Sequence, residues 1–469
     1  MQSENGNVRY VVWSELFGWF FLLVRALRLS LQLRKLLIAT FGVILTTAGW
    51  GAIAVAVSGS ADARVAALGD EYGNWPWTMA QEDAHRLSEV PGNPFADGWP
   101  SDPLQHAWRT LTEPFRAVFA NGPNLRAVVV ALLLGFWAIF IWGLFGGAVG
   151  RIAAVELATG ERYSMGRAFG FARRRWPSYF AAPMMPLSVV FIGTLMMALL
   201  GLLMRLQIGM LLAAIAWPIV LLGCAFLVLV LIGLAFGWPL MWSTLSTEGT
   251  DAFDAISRAY AYTTQRPLNY LFYVAVASLL GMLGLLLVEL FAGGVLWLSL
   301  WGVSWGVGSE LHDLAVGAAD NQVGPLGTAA AFLFAIWTSL VKLIAVGFIY
   351  SYLWTAAAAI YLLLRRDVDA TELDEAYLED EPTGEGLAPL VNDEAGVPGI
   401  ADEDDQDDNH HDNDGSNESR ANEPSTQAPG NHSAGEDNDG DSGDDDSGDD
   451  GSGDGGSGDT DSGDGAGKQ

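Results

Sequence analysis

Residues Ala127–Gly150 read AVVVALLLGFWAIFIWGLFGGAVG, and residues Ile219–Met241 read IVLLGCAFLVLVLIGLAFGWPLM. Neither stretch contains a charged side chain, and each is close to the roughly 20 residues that a helix needs to cross ~30 Å of hydrocarbon. Apolar residues occupy every face of the predicted helices, whereas a surface helix of a soluble protein keeps a polar face. The chain is therefore predicted to be an all-α, polytopic integral membrane protein.

Six transmembrane spans are predicted from hydropathy, at residues 36–57, 127–150, 182–204, 219–241, 268–290 and 340–364. They would pair as three parallel helical hairpins. Most arginines between them fall on one side, and the positive-inside rule places that side, with both termini, in the cytoplasm. The membrane is expected to be the inner membrane of a bacterial cell. The short apolar pieces Met210–Trp217 and Val295–Val303 leave five to eight crossings open, and the first span is expected to be an uncleaved signal anchor.

Composition divides the chain into an N-terminal segment 1–35, a transmembrane domain 36–366 and a tail 367–469. Residues 1–366 carry 22 Lys+Arg and 20 Asp+Glu, whereas the tail carries 34 acidic residues against Arg420 and Lys468. Such a tail cannot bury enough apolar surface to offset its ordering entropy, so it is predicted to be disordered. Its charge argues against nucleic acid as a partner. A solvated, self-repelling polyanion is expected, and weak binding of divalent cations or basic partners is the alternative.

A short motif recurs ahead of alternate spans. Arg167-Ala-Phe-Gly-Phe with Arg175 matches Arg258-Ala-Tyr-Ala-Tyr with Arg266, and a fainter copy begins at Arg25. The apolar residues of the two clear copies recur at helical spacing, which predicts amphipathic helices on the cytoplasmic surface with arginines at the level of the lipid headgroups. The alternative is that any membrane protein collects arginine and aromatic residues at this interface. The candidate headgroup contacts are Arg167, Arg173, Arg174, Arg175, Arg258 and Arg266.

The stretch Asp251–Tyr260 leading to Pro267, and its partner Met165–Pro177, resemble segments of uncharacterised bacterial multi-span integral membrane proteins. They are also similar to the membrane domain attached to some glycerophosphodiester phosphodiesterases, in which an amphipathic helix precedes the spans. The resemblance covers most of residues 10–366 and implies a helical membrane domain. The catalytic barrel of those enzymes is absent here, so the resemblance does not imply phosphodiesterase activity.

Residues 58–125 are predicted to form an extracytoplasmic loop rich in tryptophan and proline. Its segments Ala80–Val90 and Pro103–Phe119 are expected to be helices that lie on the membrane surface with tryptophans at the interface. His85 and His106 have no metal-motif spacing, so no metal site is predicted.

Ionisable residues near the outer ends of the spans are the first place to look for chemistry. Glu289 and Lys342 are candidates for an outer-face ion pair, either on a substrate path or simply as partners at the interface. Four glycines on the second span have the small-residue spacing that lets helices pack closely. They are Gly143, Gly146, Gly147 and Gly150.

No phosphate loop, zinc motif, nucleophile elbow or cysteine pair occurs in the sequence, so no catalytic residue, cofactor or metal is predicted. The favoured function is a non-enzymatic scaffold, accessory or regulatory component, with the lipid bilayer and other membrane proteins as partners. The alternative is a transporter or channel with a path between the three hairpins. A membrane-bound lipid enzyme is the third possibility.

Overall fold

The computed structural model describes residues 17–76, 101–120, 124–307, 324–373, 377, 390–392 and 398–400. These residues form ten α-helices and two short β-strands. The helices are α1 Gly18–Ser30, α2 Leu33–Val57, α3 Ala63–Tyr72, α4 Pro103–Ala120, α5 Leu125–Ala158, α6 Met165–Leu203, α7 Gln207–Glu248, α8 Ala252–Gln265, α9 Pro267–Val307 and α10 Gly324–Asp369.

Six of these helices, α2, α5, α6, α7, α9 and α10, are long and apolar enough to cross a membrane. They contain the six predicted spans, except that α6 ends one residue before the predicted end at 204, and they pair as the hairpins α2/α5, α6/α7 and α9/α10. The predicted all-α, six-span architecture is therefore confirmed, and the chain is a multi-pass membrane protein.

The spans are longer than hydropathy alone predicted. Met210–Trp217 is the first part of α7 and Val295–Val303 is the last part of α9, so neither piece is a separate crossing. Helix α7 has 42 residues, which corresponds to about 63 Å at 1.5 Å per residue. Since this is about twice the hydrocarbon thickness, the helix has to tilt, bend or project beyond the bilayer.

The two clear motif copies fold differently. The second copy is the separate helix α8, which ends where Arg266 leaves helical geometry ahead of Pro267 (φ −130°, ψ 56°), as expected for a residue before proline. The first copy continues through Pro177 into the span as α6. There, Trp176 is held in line because its indole donates to the carbonyl of Phe140, 3.1 Å away. The first copy is therefore not the short surface helix that the sequence predicted, because it forms the first part of α6.

The faint third copy also forms a short helix before a span. Helix α1 contains Arg25, and the chain turns at Leu31 and Gln32 before α2 begins. The two short helices α1 and α8 bury one face each, against α10 and α7 respectively among others.

The chain divides into two units, residues 1–382 and 383–469. In the second unit, strands β1 (Leu390–Asn392) and β2 (Pro398–Ile400) pair antiparallel, with Val391 opposite Gly399. This pair occupies part of the tail that was predicted to be disordered. Residues 401–469, for which disorder and weak cation binding were predicted, lie outside the described residues.

Candidate functional site

Helix α4 packs one face against α5, α9 and α10, whereas its other face, with His106, Arg109 and Arg116, is exposed; the sequence predicted a helix on the membrane surface. Its first residue, Pro103, packs so closely on α9 that a Cβ atom at Gly281 would lie 2.7 Å from the proline Cγ. Further along α4, the ring of Phe115 fills the space beside Gly135 of α5. The surface placement is therefore wrong.

The residues that lie beside the two ends of α4 show how far this helix reaches along the spans. Gly281 is fourteen residues after the start of α9 at Pro267, about 21 Å along the helix. The other end of α4 leads to Asn124, which caps the start of α5. The helix thus runs from mid-span depth back to one end of the bundle.

Tryptophan side chains supply the hydrogen bonds that proline removes from two spans. Proline has no N–H, so it leaves the carbonyl four residues earlier without its helical donor. Pro239 leaves the carbonyl of Ala235 in this state, and the indole of Trp108 on α4 donates to it at 2.9 Å. Pro183 does the same to Tyr179, whose carbonyl accepts from Trp242 at 2.9 Å.

These contacts belong to an aromatic cluster at the centre of the bundle. The ring of Trp354 stacks on Trp242 with centroids 4.7 Å apart, and Trp142 stacks on Tyr350 at 4.5 Å. Trp238 meets the edges of Trp242 and Trp354 at 6.0 and 5.5 Å. Edge and stacked geometries of this kind stabilise a core beyond their buried area. The cluster joins α5, α7 and α10.

A cavity of about 290 Å³ opens beside this cluster, between α4, α5, α6 and α7. Its walls are almost wholly apolar. Arg116 is a charged residue in the lining, and its guanidinium pairs with Glu113 at 2.8 Å. Aromatic rings form much of the remaining wall, contributed by Trp108, Phe115, Phe119, Trp142, Trp238 and Trp242.

Two of the indoles that line the cavity have no hydrogen-bond acceptor among the described residues. They are Trp142 and Trp238, whose Nε1 atoms are buried while the residues are 1% and 8% exposed. Leaving a buried donor unsatisfied costs about 1–3 kcal/mol. The walls of the cavity are therefore apolar, and two tryptophans of its lining have buried N–H groups without an acceptor among the described residues.

The end of the bundle that carries Arg25, Arg34, Arg151, Arg258 and Arg365, here called the basic end, contains buried ionic contacts. Glu156 near the end of α5 is 2% exposed and pairs with Arg34 and with Lys35, the latter at 3.1 Å. The side chain of Lys35 has no exposed surface. Because buried charges are costly unless they are paired, this triad fixes α2 against α5.

Arg25 of α1 donates hydrogen bonds to carbonyl groups at the C-terminal end of α5. Its guanidinium donates to the carbonyls of Glu156 at 2.6 Å and Leu157 at 3.3 Å. A cation at this position also complements the negative end of the helix dipole. Arg34 adds a bond to the carbonyl of Tyr163 at 2.7 Å. The basic residues of the N-terminal segment thus serve as structural caps.

Arg151 is buried completely and joins three parts of the chain. Its guanidinium donates to the carbonyl of Ser246 at 2.9 Å and to the carbonyl of Tyr377, beyond the last helix. The same group lies over the ring of Phe171, 4.2 Å from its centroid. The backbone N–H of Tyr377 donates to the carbonyl of Thr247 at 3.1 Å. The beginning of the acidic tail is therefore fastened to the bundle.

Glu248 forms a second charged group at this end. It accepts from Arg365 at 3.0 Å and from Tyr361 at 3.1 Å, and it pairs with Arg258 at 3.5 Å. Burial alone would lower the pKa of Arg258, but the carboxylates of Glu248 and Asp254 raise it above its ordinary value. The contacts tie together α7, α8 and α10.

The arginines predicted to touch lipid headgroups differ in how exposed they are. Arg175 donates to the carbonyl of Thr250 at 3.2 Å, and Arg258 is engaged with acidic residues, so both have protein partners. The others lie on the surface of the described chain. They are Arg167, Arg173, Arg174 and Arg266.

The four glycines of α5 face aromatic or polar side chains of neighbouring helices. A Cβ atom at Gly146 would lie 2.7 Å from the ring of Trp354, and one at Gly150 would lie 2.8 Å from Oγ of Ser246. Gly143 lies against Trp176, and Gly147 against Tyr179. The glycines make room for side chains, whereas the sequence suggested close approach of helix backbones.

Glu289 lies exposed on α9 and Lys342 half-buried on α10, and their pairing stays a prediction.

Sequence reasoning missed the buried residues Lys35, Arg151 and Glu156 because it assigned them to hydrophilic flanks of the spans. A glutamate close behind a glycine-rich span, with arginines nearby, is the signal that would have indicated a buried pair.

Among the described residues, no group of three or more His, Cys, Asp or Glu side chains is placed to hold a metal ion. No protein-family model, curated protein or solved structure matches this chain.

Proposed function

We propose that this protein is a non-enzymatic scaffold of a bacterial inner membrane that holds its acidic tail at the cytoplasmic face. The observation that supports this most is the anchoring of Tyr377 by Arg151 and Thr247. It connects the first part of the acidic segment to the helices themselves, so the tail leaves the bundle from a defined position.

The buried charges of the basic end support the same function. Glu156 and Glu248 are each bound by cations from other helices, so their contacts stabilise a rigid platform. Segment 367–469, which follows this platform in the sequence, carries 34 acidic residues and therefore a strong negative field. Such a field attracts basic proteins and raises their rate of association at low salt.

The experiment compares the full chain in nanodiscs with a full-length variant in which the acidic residues beyond 400 are replaced by Asn and Gln. The probe is a fluorescent lysine decapeptide, titrated at two salt concentrations. We expect salt-sensitive binding to the natural chain and at least tenfold weaker binding to the variant. Equal affinity for both chains would contradict the proposal, as would turnover of a phospholipid or phosphate ester by the purified protein.

The cytoplasmic position of the tail needs its own measurement. In a Cys224→Ala background, the substitutions Ser88→Cys and Ser442→Cys place one reactive thiol in the outer loop and one in the tail. We expect a membrane-impermeant maleimide to label position 88 in intact cells, and position 442 only after permeabilisation. Labelling of position 442 in intact cells would overturn the orientation.

The position of α4 favours a transporter or channel as the second candidate. Non-spanning helices at membrane depth are tolerated where they are buried in protein or line a cavity, and α4 carries His106, Arg109 and Arg116. Potassium efflux from proteoliposomes tests this function. Flux that is abolished by Glu289→Gln or Lys342→Ala would favour it, and liposomes that stay tight would remove it.

A further inference from the structure

We propose that the polar face of α4 is the floor of a water-filled groove between α7 and α9. The groove opens at the end of the bundle opposite the basic end and reaches into the depth of the hydrocarbon. This inference does not rest on the scaffold function. It bears on the second candidate, because a hydrated groove would give polar solutes access to the interior of the membrane domain.

The first argument is the contrast between two sides of α4. Ala107 and Leu111 mark the packed side, where they are 0% and 8% exposed. A helix of 3.6 residues per turn places its polar residues on the other side. These residues are Gln105, His106, Arg109 and Arg116, and all four are exposed.

The second argument is that two spans flank this polar side. Trp108 of α4 donates to the carbonyl of Ala235 on α7, and Pro103 lies against Gly281 of α9. Around the axis of α4, the polar residues fall between the directions of these two contacts. Helices α7 and α9 therefore form the walls of a groove, and the polar face of α4 forms its floor.

The two walls are joined on the side of the basic end. The hydroxyl of Tyr270 on α9 donates to the carbonyl of Phe236 on α7 at 2.8 Å. Phe236 directly follows Ala235, so this bond lies next to the contact with Trp108, one step nearer to the basic end. Water can therefore enter the groove only from the opposite end.

The level of the flanking contacts shows how deep the groove is. Ala235 lies thirteen residues before Glu248 at the basic end, which is about 20 Å along α7. Gly281 lies at a similar distance, about 21 Å, from the start of α9 at Pro267. In a hydrocarbon layer of ~30 Å, both contacts are about 10 Å below the opposite face.

The third argument is the cost of leaving this face in contact with acyl chains. Gln105 lies between Pro103 and Trp108 in the helix and therefore at the same depth. Its side chain is too short to reach the headgroups, which is a property of long lysine and arginine side chains. Arg109 carries a charge, which is costly in hydrocarbon without water or a counter-ion. Because the face is exposed, water from the opposite end is the solvent that removes this cost.

The test uses the full chain in nanodiscs, in a Cys224→Ala background, with a nitroxide attached at Gln105→Cys. Relaxation of the nitroxide is measured with oxygen, which concentrates in lipid, and with a water-soluble nickel chelate. The control is Leu279→Cys on α9, a side chain that is 65% exposed and lies about 18 Å from the start of its helix. We expect the ratio of nickel to oxygen accessibility to be at least tenfold higher at position 105 than at position 279.

A second measurement covers the case in which the nitroxide disturbs folding. Gln105→Cys and Arg109→Cys are treated with a small, positively charged methanethiosulfonate, which reacts with thiols in water. The reference is Ser58→Cys, an exposed position just beyond α2. We expect both α4 positions to react within about tenfold of the rate at Ser58→Cys, and at least a hundredfold faster than Leu279→Cys.

The proposal is overturned if oxygen relaxes the label at position 105 as strongly as it does at position 279, since acyl chains would then cover the face. It is equally overturned if neither reagent reaches the label, because protein would then cover it. Reaction rates at the α4 positions as low as at Leu279→Cys would have the same meaning. None of these results would alter the binding of the lysine decapeptide, so failure of the groove is distinguishable from failure of the scaffold function.

Discussion

Asp62 and Asn124 each cap a helix, and their side chains bond to each other. Asp62 accepts from the backbone N–H of Arg64 at the start of α3, and Asn124 accepts from Arg126 and Ala127 at the start of α5. The Asn124 amide donates to the second carboxylate oxygen of Asp62 at 2.6 Å. The bond joins the beginnings of two helices at the end of the bundle opposite the basic end.

This contact predicts a pH dependence of stability. The amide of Asn124 and the backbone N–H of Arg64 lower the pKa of Asp62 below its ordinary value. A carboxylate with a lowered folded-state pKa stabilises the fold above its unfolded pKa of about 3.9, and this contribution is lost as the pH falls through the folded value. We expect the natural chain to unfold at a higher temperature than Asp62→Asn at pH 7, with the gap closing below about pH 4. A gap that is constant with pH would contradict this origin.

The hydrogen bond between Trp108 and Ala235 predicts that the effects of substitutions at Trp108 and Pro239 on stability depend on each other. Trp108→Phe leaves the Ala235 carbonyl without a donor and is expected to cost about 1–3 kcal/mol of stability. Pro239→Ala restores a backbone N–H that can reach the same carbonyl. In the Pro239→Ala background, the cost of Trp108→Phe should therefore fall below about 1 kcal/mol, as measured by a double-mutant cycle on thermal unfolding. Equal costs in both backgrounds would show that the hydrogen bond is unimportant.

The buried triad at the basic end predicts a large effect of charge removal. Glu156→Gln leaves Lys35 buried without its counter-ion, which typically costs about 3–5 kcal/mol. Adding Lys35→Met removes the orphaned charge and should recover part of the loss. The matched control is Glu113→Gln, which breaks the exposed pair with Arg116 and should cost under about 1 kcal/mol. Similar unfolding temperatures for the two Glu→Gln variants would refute the role of burial.

The anchoring of Tyr377 predicts local protection from hydrogen exchange. Its amide is bonded to Thr247, and its carbonyl to Arg151. Arg151→Leu removes the second bond, so exchange of the Tyr377 amide should accelerate at least tenfold in mass-spectrometric measurements. Arg173→Leu changes an exposed arginine of α6 and serves as the control. Unchanged exchange in Arg151→Leu would mean that the segment is held by other contacts.

Hydropathy was sufficient to predict the six spans, because each contains a window in which apolar residues occupy every helical face. It could not predict where the helices end. Met210–Trp217 and Val295–Val303 looked like separate pieces, since Pro218 and a glycine-rich stretch interrupt the pattern. In the structure α7 continues through Pro218 and α9 through Gly293 and Gly294. A proline or glycine inside a long span bends or weakens it but does not have to end it.

The aromatic cavity and the buried charges of the basic end were harder to predict, since both depend on contacts between residues far apart in sequence. Glu156 and Lys35 are separated by 121 positions, and each looks like an ordinary polar flank on its own. The same is true of Trp108, whose acceptor lies on α7. Glu289 and Lys342 attracted attention because they stand alone in apolar sequence, whereas the buried charges found at the basic end lie in polar surroundings.

Helix α4 packs against helices that are synthesised after it. Gly281, which accommodates Pro103, lies on α9, and the acceptor of Trp108 lies on α7. A segment that contains His106, Arg109, Glu113 and Arg116 has little tendency to enter hydrocarbon by itself. Its contacts with α7 and α9 can therefore form only once those two helices are in place. Any change that delays the second or third hairpin would then leave the polar residues of α4 without these packing partners during assembly.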